Sequence, residues 1–168
     1  MFDNEVLIRI NNLFNLYFGF NSFLDDMVYA LQSDYKSTEF ADRIHKISHI
    51  MPAIADDVQE FAKRRGYKLK RGAISETDTV NLNSELSWIK KALEFSYNVE
   101  STIKEVIRVC STTDNPVLED FFRNLYVQKQ AEITYQFIMF VEGYSKLEQE
   151  DLSSLWDSEY ETYEVIKI

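Results

Sequence analysis

The sequence predicts an all-α protein, a four-helix bundle with one long crossover between helices 2 and 3 and a short C-terminal helix. Three observations lead there. Apolar residues recur with a 3.6-residue period over four long segments. Only 4 Gly and 2 Pro stand among the 168 residues, so little interrupts those segments. The connectors run short, long, short, and a loop of about fifteen residues can carry a chain the length of a bundle. One domain over residues 1–168 suits this length, and 12 Phe, 10 Tyr and 2 Trp supply a packed interior.

The first helix is expected from about Asn4 to Gln32, with Val6, Ile10, Leu13, Tyr17, Phe20, Leu24, Met27 and Leu31 along one stripe. Phe14, Phe18 and Phe23 widen that stripe beyond one face. Such width implies a second covered side, and self-association as a homodimer or larger is the expectation drawn from it. The second helix, about Thr38 to Arg65, buries Phe40, Ile44, Ile47, Met51, Ile54, Val58 and Phe61. Pro52 lies inside it; proline lacks an N–H and its ring crowds the carbonyl of Ser48, so a kink or break is expected. Residues 66–80, "GYKLKRGAISETDTV", carry no helical period and read as the crossover. The third helix, about Ser84 to Val109, points Leu86, Trp88, Ile89, Ala92, Phe95, Val99, Ile103, Val106 and Cys110 inward. Asn115 followed by Pro116 reads as an N-cap with proline at the first helical position, starting a fourth helix that runs to about Leu147. "DLSSLWDSEYETYEV" is the short terminal piece.

A net charge of -10 and a pI near 4.7 argue against nucleic acid as a partner. The one basic run, "KRRGYKLKRG" at residues 63–72, is read first as a cationic helix end entering a loop. Cys110 is alone, which fits a reducing compartment. The polar-interrupted start and the lack of an 18-residue apolar run predict neither signal peptide nor membrane span, and a cytoplasmic location is the expectation.

The candidate chemistry lies in "ADRIHKISHIMPAIADD", residues 41–57, which holds both histidines of the chain. His45 and His49 stand four apart with Asp42 three before the first, a spacing that puts them on one helical face. Counting about 100° per residue places Asp42, His45, His49, Asp56 and Glu60 within about 60° of one another, nearly opposite the stripe of Ile44, Ile47, Met51 and Val58. Two readings stay open: a metal site outside the bundle core, and a solvated polar face.

Two further stretches carry a resemblance. "EFSYNVESTI", residues 94–103, resembles the third-helix stretch of ferritins, in which a tyrosine precedes an iron-binding glutamate by three residues; here these are Tyr97 and Glu100. "DFFRNLYVQKQAEI", residues 120–133, is similar to the ferritin fourth-helix stretch that ends in a glutamine near the diiron centre, which falls on Gln130. The resemblance to the ferritin-like superfamily implies iron as cofactor, with storage or ferroxidase-type stress protection as the activity. It also implies carboxylates and imidazole projecting inward from all four helices. The chain departs from that pattern, with Asn15 near the expected first-helix glutamate and Ile54 and its neighbours where the second-helix histidine falls. The Dps-type mini-ferritins, which the order of elements also resembles, bind iron between two subunits. Their second helix carries a histidine early and acids later, as His45, Asp56 and Glu60 do here.

A straight-helix count sets Gln130 off the side of the fourth helix's stripe and puts Lys129, Glu132 and Gln136 among its core aromatics. A buried Lys129 to Glu132 pair is then either a remnant of a metal site or a polar network fixing register. Two functions follow from these readings: a ferritin-like protein with an altered or lost diiron site, or a helical interaction module for an unknown protein partner with no metal chemistry. No glycine-rich phosphate loop or nucleophile elbow supports a hydrolase, kinase or dinucleotide enzyme.

Overall fold

A computed structural model describes residues 4–167. It is 79% helix, and the described residues hold no strand, so every tertiary contact is made by helices and their connectors. The elements are α1 (Asn4–Ser33), α2 (Thr38–Ser48), α3 (Ile50–Arg64), α4 (Glu85–Thr112), α5 (Pro116–Leu125), a π-turn (Tyr126–Gln130) and α6 (Ala131–Gln149). A terminal arm follows, built from one four-residue helix, α7 (Trp156–Glu159), between 3-10 turns at Ser153–Leu155 and Tyr160–Tyr163. No described helix is long and apolar enough to cross a membrane.

α1 is the central rod and packs against α2, α3 and α4, while α4 also packs against α5 and α6. Its whole expected stripe is buried. Phe14, Phe18 and Phe23 are buried as well, and by the chain itself. Phe23 packs at a tilt against Trp88 and Phe95, and the Arg71 guanidinium lies 3.7 Å over the Phe18 ring. The crossover is therefore a lid on α1. Asn11 and Asn15, one turn apart, fasten it: Asn11 Oδ1 accepts from Lys70 N at 2.7 Å, Asn15 Oδ1 from Gly72 N at 2.6 Å, and Asn15 Nδ2 donates to Lys70 O at 2.9 Å. The extra apolar width of α1 thus gives no ground for a second subunit. Part of the basic run is used in this lid, with Tyr67 and Leu69 buried between its cations.

Pro52 breaks the second helical stretch as its chemistry requires, at the joint between α2 and α3. The Ser48 carbonyl, which a residue at 52 would normally serve, instead accepts from Asn21 Nδ2 of α1 at 3.0 Å. α4 starts on a capping box between Ser84 and Ser87. At the start of α5, Pro116 occupies the first turn, yet Asn115 does not cap with its side chain; its amide donates to Thr113.

The expected fourth helix is interrupted. Ala131 N–H reaches back to Tyr126 O, an i to i−5 bond that inserts one extra residue into the helical turn. One residue is worth about 100° of rotation, so everything after the bulge faces differently from the straight count. Gln130 turns fully inward; Lys129 and Glu132 turn out to solvent. Lys129 pairs with Asp57 at 3.0 Å rather than with Glu132. Gln136 is buried as expected, although against the terminal arm.

Candidate functional site

The interior polar site sits where α1, α4 and the junction of the π-turn with α6 meet. Tyr17 comes from the apolar stripe of α1, Ser96 from α4, Gln130 from the last position of the π-turn, and Thr134 from the next turn of α6. All four are buried. Tyr17 OH donates to Gln130 Oε1 at 2.8 Å, and Gln130 Nε2 donates to Ser96 Oγ at 2.9 Å. The Ser96 and Thr134 hydroxyls are 2.7 Å apart, and Thr134 Oγ1 also lies 3.4 Å from the amide. Burial, and next the charge of Glu100, push the Tyr17 phenol well above the ordinary tyrosine value, so it stays protonated and remains a donor.

Every polar group of this cluster is neutral and has a partner within it. A diiron centre needs several carboxylates and an imidazole converging on one space. One phenol, one amide and two hydroxyls do not supply that set, and the acid whose charge reaches Tyr17 is the half-buried Glu100. The interior donors therefore do not fit iron of the ferritin kind.

The other expected ligands lie elsewhere. Asp42, His45, His49, Asp56 and Glu60 are all exposed, on the outer side of α2 and α3. His45 Nε2 and His49 Nε2 do come together, 3.0 Å apart with the rings at 85°. Glu60 turns instead toward Arg64 at 3.4 Å. Among the described residues no three His, Cys, Asp or Glu side chains gather as a metal-binding set. Of the residues named through the ferritin resemblance, Gln130 joins the interior cluster, Glu100 borders it, and Tyr97 points outward, 47% exposed. Tyr17, Ser96 and Thr134 were not singled out from the sequence. The available signal was a pair of hydroxyl residues, Ser96 and Thr134, at core positions of two facing helices.

A second buried polar cluster closes the other side. Glu85 at the start of α4 accepts from Ser37 Oγ at 2.5 Å and from Tyr144 OH at 3.3 Å. Burial raises its carboxyl above the ordinary glutamate value, while these two donors pull the other way. The Tyr144 phenol is pushed up to about 12 by its burial and then by the Glu85 charge. The lone Cys110 is buried, and its thiol is raised to about 11 by desolvation and next by Glu119, so it is a packed apolar side chain rather than a nucleophile.

No family model matches the chain, and no curated protein matches it.

Proposed function

We propose that this chain is a four-helix-bundle interaction module that keeps the layout of the ferritin-like superfamily without its diiron chemistry. The observation that supports this reading is the neutral, mutually satisfied cluster of Tyr17, Ser96, Gln130 and Thr134 at the centre of the helices. A buried network with all partners in place fixes how helices pack and leaves no open ligand position. An acidic surface and outward-facing Tyr29, Val127 and Tyr135 suit contact with another protein. Addition of Fe(II) in air, followed at the absorbance of oxo-bridged ferric iron, tests it. The expected record matches buffer alone, and saturable oxidation with a fixed iron-to-chain ratio contradicts it.

One observation favours a second reading. His45 and His49 bring their Nε2 atoms to 3.0 Å on one exposed face, a hydrogen-bond contact that a small opening to about 3.4 Å would convert into two ligands of one tetrahedral ion. In this reading a second copy completes an intersubunit metal site of the Dps kind around the pair. Replacing both histidines with alanine then removes bound metal, whereas on the first reading it changes no metal measurement.

A further inference from the structure

The terminal arm ends in a segment held by two buried polar side chains, Gln136 and Arg43. Gln136 of α6 is fully buried, and its amide holds the bend that follows the last 3-10 turn: Nε2 donates to Tyr163 O at 3.0 Å, while Oε1 accepts from the successive Val165 N at 2.8 Å and Ile166 N at 3.0 Å. Arg43 of α2 is 6% exposed and donates through Nη2 to Ile166 O. Glu164 Oε1 lies 2.6 Å from Arg43 Nε, out of line with that N–H, so the contact is an ion pair rather than an aligned hydrogen bond. The Tyr163 ring lies against Gly143, where a Cβ would come within 2.6 Å of it. Val165, Ile166 and Lys167 form one wall of a groove of about 410 Å³ that Ile50, Ile54 and Ile133 also line.

Main-chain hydrogen bonds that ignore side-chain identity, with separate places for an aromatic ring, an acid and aliphatic groups, are how proteins bind short peptide segments. We propose that this groove is a peptide-recognition site for the pattern aromatic, acidic, aliphatic, aliphatic, occupied in cis by Tyr163 to Ile166 and open to a partner protein's peptide of the same pattern by exchange. The occupant follows from charge and geometry. Arg43 is a buried cation that needs an acid, and Gln136 needs one carbonyl and two successive N–H groups turned to one side of a bent chain. An empty groove leaves a buried charge and a buried amide without partners, which is costly. Cis segment and partner therefore replace one another. A tethered ligand acts at an effective concentration of order millimolar, so a free peptide competes poorly against the unaltered arm.

This inference rests on the interaction-module reading and names its surface. The test uses a fluorescent peptide with the sequence of residues 160–167, titrated with the full chain and read by anisotropy. In the Tyr163→Ala/Glu164→Ala chain the cis ligand is weakened while the groove is intact, and the peptide binds at least about tenfold more tightly than to the unaltered chain. Adding Gln136→Leu, or placing lysine at the acidic position of the peptide, abolishes that gain. A folded double variant that binds no better than the unaltered chain overturns the proposal, as does a gain that survives Gln136→Leu. Should the double variant fail to fold, amide exchange on the unaltered chain decides. Val165 and Ile166 are expected to exchange at least about a hundredfold faster than core amides of α1, through local opening; exchange only at the global unfolding rate overturns the proposal. Absent peptide binding with no iron oxidation removes this groove alone, whereas saturable iron oxidation removes the interaction reading itself.

Discussion

Single residues carry the polar interior. Tyr17→Phe removes the one donor to Gln130 Oε1 and leaves a buried amide oxygen unpaired; the expected loss is about 1–3 kcal/mol in denaturant unfolding, the cost of orphaning a buried acceptor. Serine at an exposed control such as Tyr29 shifts stability by less than about 0.5 kcal/mol. Glu85 makes the pH dependence legible. Its folded carboxyl titrates above the unfolded one because of burial, so the folded state binds the proton more tightly. Its contribution is present in full below the ordinary glutamate value of about 4.3 and is lost as pH rises through the raised folded value. Glu85→Gln puts a neutral amide of similar shape in place of the carboxyl and removes the titration. The stability of the wild-type chain relative to Glu85→Gln should therefore fall as pH rises from about 4 toward neutrality. A difference that is flat across that range, or that grows with pH, contradicts the assignment. Residue types at these positions were visible in the sequence, but their roles were not: Tyr17 reads as one more apolar-stripe residue until its hydroxyl is seen to face Gln130.

At the scale of elements, periodicity and breakers were sufficient where the backbone is regular. α1, the joint before Pro52, the crossover and the start of α5 fall where apolar spacing, the missing proline N–H and the glycine-containing loop put them. The π-turn was not legible, because no residue type demands an i to i−5 bond and the straight count runs past it without warning. That one residue explains why Lys129 and Glu132 were expected inside and Gln130 aside. It also gives an unusual prediction about deletions. Removing the exposed Val127 takes out the extra residue, restores a straight α-helix and keeps Leu125, Gln130, Ile133 and Phe137 on one face. The variant should fold with a loss of less than about 2 kcal/mol, within the range of backbone strain that the bulge itself stores. Removing the exposed Lys104 from α4, which has no bulge to absorb the change, rotates every later core residue by about 100° and should abolish cooperative unfolding. Circular dichroism melts of the two deletions decide; equal damage in both contradicts the register account.

For the whole molecule, composition and connector lengths reach as far as an all-helical chain with a long crossover, and the described residues agree. What the sequence overstated was the apolar surplus of α1, since a connector without helical period gives no sign that it folds back to cover Phe18. Of the candidate residues, Gln130 was singled out through the ferritin resemblance as a metal-site residue, and in the fold its partners are hydroxyls. The central claim is that this centre is a closed structural network and not an iron site. Elemental analysis of protein purified without chelator, run in parallel on the His45→Ala/His49→Ala variant, tests it most directly. The account predicts less than about 0.1 iron per chain in both samples, far below the pair of ions a diiron centre holds. About two iron per chain in both samples would contradict it, because stoichiometric iron that survives loss of the histidine pair does not depend on that exposed face.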